Sequence, residues 1–219
     1  MSLERNDAIK INEIFHSIQG ESSFTGFPTV FVRTSGCHLR CTYCDTQYAY
    51  HEGDWWAPQD LLKKVLSYST RHVCVTGGEP LLQPLIPTFL KSLCDHELVV
   101  SLETSGDRDC EAVDPRVRKI IDVKTPDSGE PDRFCRGNLR YANWETEFKF
   151  VICSEKDFGW AENFAKENKL FEKTNVLYSP SFKKISERWL AEKILSQRSS
   201  ARLQVQLHKY IWPETERGV

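Results

Sequence analysis

"PTVFVRTSGCHLRCTYCDT", residues 28–46, decides how the rest of the chain is read. Its first half is a run of β-branched and aromatic residues ending at Gly36, the composition of a strand that hands over to a loop. Its second half places Cys37, Cys41 and Cys44 in the spacing C-x3-C-x2-C. A structural zinc takes four ligands, usually as paired C-x2-C units well apart in sequence. The nearest fourth candidates are His38 and His51, and His38, inside the loop, is badly placed to close a tetrahedron. Ferredoxin-type clusters take four cysteines. Three thiolates suit a 4Fe–4S cluster whose fourth iron stays open to a substrate or cofactor, and soft thiolates favour such iron. The bland alternative is three reduced surface thiols or a poor zinc loop, although exposed unligated thiols are a chemical liability.

The chain around this loop has ordinary globular composition. Its 219 residues are 40% hydrophobic and 27% charged, with a net charge of −2. It is long enough to bury a core without disulfides or a structural metal. Both signs of charge are interspersed, so bulk electrostatics suggests neither nucleic acid nor a membrane surface as partner. "MSLERNDAIK" at the N-terminus has no apolar run of a signal peptide. No apolar stretch approaches the roughly 20 residues of a membrane span. The expectation is a cytoplasmic protein with reduced thiols. The remaining cysteines are scattered: Cys74 and Cys153 sit in apolar runs as buried structural thiols, and Cys94, Cys110 and Cys135 have no spaced partner.

Apolar runs recur along the chain. "PTVFVRTSG" (28–36), "HVCVTGGEP" (72–80), "ELVVSLETSG" (97–106), "KIIDVKTP" (119–126), "TEFKFVICSE" (146–155) and "TNVLYS" (174–179) read as strands. "APQDLLKKVLSYS" (57–69), "PLIPTFLKSLCDH" (84–96), "DFGWAENFAKEN" (157–168) and "SERWLAEKILSQR" (186–198) read as helices, and "LQVQLHKYIW" (203–212) closes the series. Alternating strands and helices imply an α/β fold with a parallel sheet. A full eight-fold barrel needs about 250 residues, so the expectation is an incomplete parallel β/α barrel of about six βα units. The expected organisation is a single domain over residues 1–219, with a strand-bearing N-terminal substrate-binding extension (1–27) and a C-terminal cap (199–219). Active sites in parallel α/β folds form where strands hand over to loops. Here those handovers read "TSGCHLRC", "TGGEP", "ETSG", "DVKTP" and "YSPS", polar and glycine-rich.

These residues resemble the radical S-adenosylmethionine superfamily, and the resemblance spans nearly the whole chain. The cysteine loop after the first barrel strand carries it, with "TGGEP" (76–80) as the glycine-rich second motif, weak alone but strong beside the loop. The resemblance implies that Cys37, Cys41 and Cys44 hold one 4Fe–4S cluster, whose open iron is chelated by the methionine part of S-adenosylmethionine. It further implies that one-electron cleavage of that cofactor makes a 5′-deoxyadenosyl radical.

"FHSIQGESSFTGFPTVFVRTSGCHLRCTYCDT" is very similar, within that superfamily, to the 7-carboxy-7-deazaguanine synthase family. That similarity implies a reaction, an expectation for this chain. It would be the magnesium-dependent ring contraction of 6-carboxy-5,6,7,8-tetrahydropterin to 7-carboxy-7-deazaguanine, with loss of ammonia, on the route to queuosine and related deazapurines. Substrate would be bound by Ile18, Gln19, Gly20, Glu21, Arg33, Thr76 and His208. Cofactor would be bound by Tyr43, Cys44, Asp45, Gly78, Glu103, Ser105, the "DVK" triplet Asp122, Val123 and Lys124, and the "YSPS" segment Tyr178, Ser179, Pro180 and Ser181. The Thr46 hydroxyl would hold magnesium. An electron donor such as flavodoxin and a homodimer are also implied.

Each residue has a plainer reading beside this one. Arg33 suits a bidentate carboxylate at a strand end, or simply reaches solvent. Gln19 and Glu21 match the donors and acceptors of a pterin edge, or are ordinary loop residues. Thr46 binds a hard cation or caps a turn, and a lone histidine such as His208 is more often structural. Some family members end soon after that histidine, whereas here the chain continues as "WPETERGV", so a role for the terminal carboxylate is not carried over. Other members have an insertion in the cysteine loop. Two alternatives remain: an activase for glycyl-radical enzymes, which shares the short loop, and a non-catalytic zinc module.

Overall fold

A computed structural model describes residues 7–213 and 217–219. Residues 1–6, where the expected N-terminal extension begins, and residues 214–216 of the tail lie outside the described residues.

Among the described residues one sheet holds β1 (Ile9–Ile18), β2 (Pro28–Thr34), β3 (Asp54–Trp56), β4 (His72–Gly77), β5 (Val99–Thr104), β6 (Arg118–Asp122), β7 (Thr146–Ile152), β8 (Asn175–Pro180) and β9 (Arg202–Leu203). The spatial order is β3-β1-β2-β4-β5-β6-β7-β8-β9. From β2 to β9 each neighbouring pair is parallel. β1 returns antiparallel on β2, and β3 antiparallel on β1. The apolar runs read from the sequence are β2 and β4 to β8, and the extension supplies β1. The terminal strands β3 and β9 are not neighbours, so the barrel is partial, as expected.

The helices are α1 (Pro58–Leu66), α2 (Ile86–Asp95), α3 (Glu155–Glu167), α4 (Glu187–Ser196) and the short α5 (His208–Ile211). Ser154 and Ser186 cap α3 and α4 by accepting from the backbone N–H of Asp157 and Trp189, satisfying donors that a helix start leaves open. Two connections depart from a strict βα rhythm. The β5–β6 segment carries no helix, and β6–β7 only 3-10 turns at Pro126–Ser128 and Arg136–Tyr141. Both segments are rich in Asp, Arg, Gly and Pro and show no apolar spacing that a helix could bury. "LQVQLHKYIW" is also not one strand. The ladder ends at Leu203, and the Leu207 N–H turns away to donate to the Gly20 carbonyl at 3.0 Å.

Side-chain alternation divides the strands cleanly. Val30, Val32, Val73, Val75, Val100, Leu102, Ile121, Phe148, Phe150 and Val176 face the helices and join Leu61, Phe89, Leu90, Phe164 and Leu190 in one core. Their neighbours, one residue along, face the lumen of the curled sheet. Near the strand C-termini those lumen residues are polar: Arg33, Thr76, Glu103, Asp122, Lys149 and Ser179. Register aligns them in a layer, with Arg33 opposite Thr76, Asp122 opposite Lys149, and Val151 opposite Ser179. Among the described residues, no helix is long and apolar enough to cross a membrane.

Phe148 is fully buried on the helix-facing side of β7 and packs edge-to-face on Phe134 at 6.4 Å. Phe148→Ala removes that packing and leaves a cavity, so chemical denaturation is expected to show a loss of about 3–5 kcal/mol.

Candidate active site

The loops at the C-terminal ends of the strands enclose a cavity of about 670 Å³. Cys37, Cys41 and Cys44 line it, as the reading of their loop required. The loop is held by backbone bonds rather than by its own regular structure. The Gly36 N–H donates to Ala49 O at 2.8 Å, and the Glu79 N–H donates to Gly36 O at 2.8 Å. Thr42 N–H donates to Ser128 O at 2.9 Å, and Arg40 Nη1 donates to the carbonyls of Cys37 and Leu39. Gly78 sits against this loop so closely that a Cβ there would lie 2.1 Å from Gly36 O and 3.1 Å from Cys37 Cβ. Burial pushes the Cys37 thiol above its ordinary value and Cys41 up to about 11, against the pull of the Lys124 charge on Cys41. A metal that binds here must therefore displace protons to obtain thiolates.

Glu79 of "TGGEP" points away from the cavity. It is fully buried and accepts from the Leu81 N–H (2.9 Å), the Ser105 N–H (2.6 Å) and the Thr104 hydroxyl (2.9 Å). Burial raises its carboxyl above the usual range despite these bonds. Ser105 Oγ lies 2.5 Å from Glu79 and 2.7 Å from Asp107, and Asp107 also pairs with His38 of the cysteine loop. One network thus ties the cysteine loop, the glycine turn and the end of β5 together.

The far side of the cavity is built by β1, the turn after it and the C-terminal segment. Arg33 donates through Nε to Glu13 at 2.6 Å, Tyr48 OH donates to the same Glu13 oxygen at 3.0 Å, and the guanidinium lies 5.7 Å from the Phe15 ring. Glu21 accepts from Lys149 at 2.9 Å and from the Gln206 amide at 2.8 Å. A Cβ on Gly20 would lie 2.2 Å from His208 Nδ1, so the glycine lets the histidine seat there. Burial lowers the His208 pKa, opposed by Glu21, which keeps the imidazole neutral at neutral pH. Thr46 Oγ1 donates to Asp45 Oδ1 at 3.0 Å, and Lys209 Nζ donates to Asp45 Oδ2 at 2.8 Å. Partial burial would raise the Asp45 carboxyl, but Lys209 and Thr46 bring it down to about 2.

The cavity brings together Ile18, Gln19, Glu21, Arg33, Tyr43, Asp45, Thr46, Thr76, Gly78, Glu103, Ser105, Asp122, Lys124, Ser179, Pro180, Ser181 and His208 with the three cysteines. Three of the expected residues stand elsewhere. Tyr178 and Val123 occupy helix-facing positions, fully buried in the core, and Tyr178 OH donates to Glu162 at 3.0 Å. Strand alternation is the reason: a motif read as a block assigns to the lumen residues that the pleat turns outward. Gly20 does not line the cavity; it supports His208. Sequence reasoning missed Glu13, Phe15, Tyr48, Lys149, Gln206, Lys209, Arg217, Gly218 and Val219, all of which border the cavity or its lining arginine. Lys149 could have been found by parity, two residues before Val151 on β7. The tail offered no such signal, yet it returns: Arg217 lies 3.8 Å from the centre of the Tyr48 ring.

Several lining residues hold buried polar atoms in waiting. Tyr43 OH, Asp122 Oδ1, Gln19 Nε2 and Ser181 Oγ have no nitrogen or oxygen partner among the described residues. Gln19 Nε2 and Ser181 Oγ have the thiols of Cys74 and Cys153 beside them, which are weak partners. Buried polar atoms are normally satisfied, and a set of orphans around one cavity marks a place for a polar ligand. The donor set fits the implied groups: three thiols in one loop for a cluster, and hydroxyl, carboxylate and amide groups around them for an amino-acid-bearing nucleoside. Gly78→Ala forces the cysteine loop off its seat. It is expected to lower iron retained after reconstitution several-fold while far-UV circular dichroism stays unchanged.

Comparison with known proteins agrees with this geometry. The radical SAM superfamily model matches residues 31–128. A 7-carboxy-7-deazaguanine synthase of Chlorobaculum tepidum is 44% identical, covering 96% of this chain and 97% of the relative. One from Koribacter versatilis is 37% identical, covering 96% and 100%. The crystal structure of QueE from Escherichia coli superposes with a TM-score of 0.76 at 25% identity, covering 92% of this chain and 95% of the other. Streptococcus suis SuiB bound to S-adenosylmethionine shares the fold at a TM-score of 0.53 and 16% identity, over 77% of this chain and 44% of SuiB. The chain therefore belongs to the 7-carboxy-7-deazaguanine synthase family of radical SAM enzymes, which work with a 4Fe–4S cluster and S-adenosylmethionine.

Proposed function

We propose that this protein converts 6-carboxy-5,6,7,8-tetrahydropterin to 7-carboxy-7-deazaguanine with release of ammonia. The observation that carries this reading is one cavity that joins the cysteine loop to Arg33, Glu21 and His208. The relatives' shared name supports it. When bound, the cluster and S-adenosylmethionine supply the one-electron chemistry that starts the reaction.

The chain's own groups then have definable tasks. Arg33, oriented by Glu13 and flanked by the Phe15 and Tyr48 rings, presents its remaining N–H groups to a carboxylate. Neutral His208 donates or accepts without adding charge. Tyr43, Asp122 and Lys124 form a buried group beside the cysteines: Lys124 Nζ is 2.6 Å from Asp122 Oδ2 and 5.5 Å from the Tyr43 ring. Asp122 Oδ1 and Tyr43 OH remain unpartnered among the described residues and are offered to the cofactor. The Thr46 hydroxyl makes no side-chain capping bond to the 3-10 turn after it. It is therefore available to a hard cation together with substrate oxygens. Enclosure by the extension and the returning tail keeps water from a reactive substrate and holds its geometry.

This enclosure favours a small heterocycle over the peptide that a glycyl-radical activase must admit. Among the described residues no three His, Cys, Asp or Glu side chains converge where one metal ion could sit, as a zinc module would need. Thiolates that each hold a different iron need no such convergence. The proposal includes a single domain with the extension and cap as its closing parts, a homodimer, and a flavodoxin-type electron donor.

Cys41→Ala is expected to abolish iron–sulfur absorbance and S-adenosylmethionine cleavage, whereas Cys74→Ala, altered in the fully buried core, keeps its iron. Full iron and activity in Cys41→Ala would refute the ligand assignment. Thr46→Ala is expected to keep the cluster and bind S-adenosylmethionine. It should lose roughly ten- to a hundredfold in turnover, about 1–3 kcal/mol of transition-state stabilisation, and its response to added magnesium. Wild-type magnesium dependence in this variant would place the cation elsewhere.

A further inference from the structure

Lys149 stands in the middle of β7 on the lumen face, with Asp122 opposite it in register. Its ammonium donates to Glu21 Oε2 at 2.9 Å. The other oxygen of that carboxylate accepts from the Gln206 amide at 2.8 Å, and the Glu21 N–H donates to Gln19 Oε1 at 3.1 Å. Both side chains of the ion pair are only 14% exposed. The Glu21 carboxylate is thus held at both oxygens, in a cavity wall, by groups from two separate segments, β7 and the C-terminal segment.

A carboxylate oxygen has two lone pairs, and each oxygen here gives one to the protein. The remaining pair of lone pairs matches a ligand edge with two adjacent N–H donors, such as a ring N–H beside an exocyclic amino group. Protonation of Glu21 would put a donor where an acceptor is needed. We infer that Lys149 is a positioning residue: its ammonium fixes Glu21 as an oriented carboxylate, and through it the preference of the site for a heterocycle with two adjacent N–H donors. This inference rests on the heterocyclic substrate proposed above.

The electrostatic surroundings agree. Burial by itself raises the Glu21 carboxyl, but the charge of Lys149 and the bonds from Gln206 and Lys149 more than offset it, with a smaller contribution from His208, and the pKa lies below the ordinary value. Burial lowers Lys149, and Glu21, Asp122 and Glu103 more than offset that, so the ammonium is retained. With a depressed pKa, Glu21 contributes stability above its unfolded value, and that contribution is lost as pH falls through the folded value. Without Lys149 its lowering contributions are gone and the Glu21 carboxyl rises. The carboxyl is then harder to ionise, and the variant's deficit in stability relative to wild type shrinks as pH falls, while less of its Glu21 stays ionised to face a ligand.

The test uses reconstituted enzyme, 6-carboxytetrahydropterin and its analogue lacking the 2-amino group, between about pH 6 and 8. Wild type is expected to discriminate between the two by a pH-independent factor. Glu21→Gln reduces that factor at every pH. Lys149→Met loses discrimination at least tenfold at the acid end and recovers it toward the alkaline end, with the change in KM exceeding that in kcat. Lys149→Arg restores the wild-type profile. A flat, wild-type profile in Lys149→Met, or equal loss in Lys149→Met and Lys149→Arg, overturns the inference. A substrate-free measurement separates this outcome from failure of the proposed reaction. In protein with 13C-labelled glutamate, the resonance absent from Glu21→Gln should titrate more than one pH unit higher in Lys149→Met than in wild type; an unchanged midpoint overturns the inference even if the pterin proves not to be a substrate. Should Lys149→Met not fold, Lys149→Arg decides: it must keep the low midpoint, and a raised one overturns the inference.

Discussion

Glu21 follows β1 in one half of the sheet and Lys149 stands on β7 in the other, and their contact closes what strand pairing leaves open. A partial barrel with a polar lumen exposes that lumen along a seam. Here the turn after β1 crosses the seam. Glu21 pairs with Lys149 on β7, the Ser23 N–H donates to Glu147 at 2.9 Å, and Arg202 of β9 donates to Ser23 Oγ at 2.8 Å. The Gly20 carbonyl accepts from Leu207, completing a backbone link to the C-terminal segment. Buried ion pairs are weak sources of stability because two charges must be desolvated. Their value here is directional: the clasp specifies where the extension lies, and with it the shape of the cavity.

The two halves of the cavity arise from different physics. The cysteine side is organised largely by backbone. Gly36, Gly78 and the buried Glu79 network set the cysteine loop on the glycine turn with almost no regular secondary structure. The far side is organised by charge, with Arg33, Glu13, Glu21, Lys149, Asp45 and Lys209 arranged as pairs. A loop that brings three thiols together beside a cavity needs close approach of its backbone to the neighbouring turn. A pocket that must discriminate among polar heterocycles needs oriented donors and acceptors that a mobile chain could not hold.

Much of this is legible in the sequence because its signals are local. Each barrel strand is a short apolar run bounded by Gly, Pro or charge, and the two faces of a strand differ by one residue, so β2 and β4 to β8 stand where their composition puts them. The cysteine loop is legible for another reason: chemistry demands its spacing whatever surrounds it. The two connections without helices, and the short β9, are not legible, since absence of apolar periodicity excludes a helix but does not say what replaces it. Tyr178 and Val123 belong to the core because the pleat sends alternate residues there, an alternation that a motif read as a block ignores.

The one-dimensional chain by itself determined a parallel α/β architecture, the position of the cysteines at the strand C-termini and most of the polar residues around them. These are consequences of periodicity and of ligand chemistry over short spans. Only the tertiary structure decided the partners of those residues: Lys149 and Gln206 for Glu21, Glu13 and Tyr48 for Arg33, Lys209 for Asp45. It alone placed Arg217, Gly218 and Val219 in the cavity wall. Those contacts join segments far apart along the chain, and no local spacing encodes them. They exist because the curled sheet brings its ends together around a lumen whose charges must be paired.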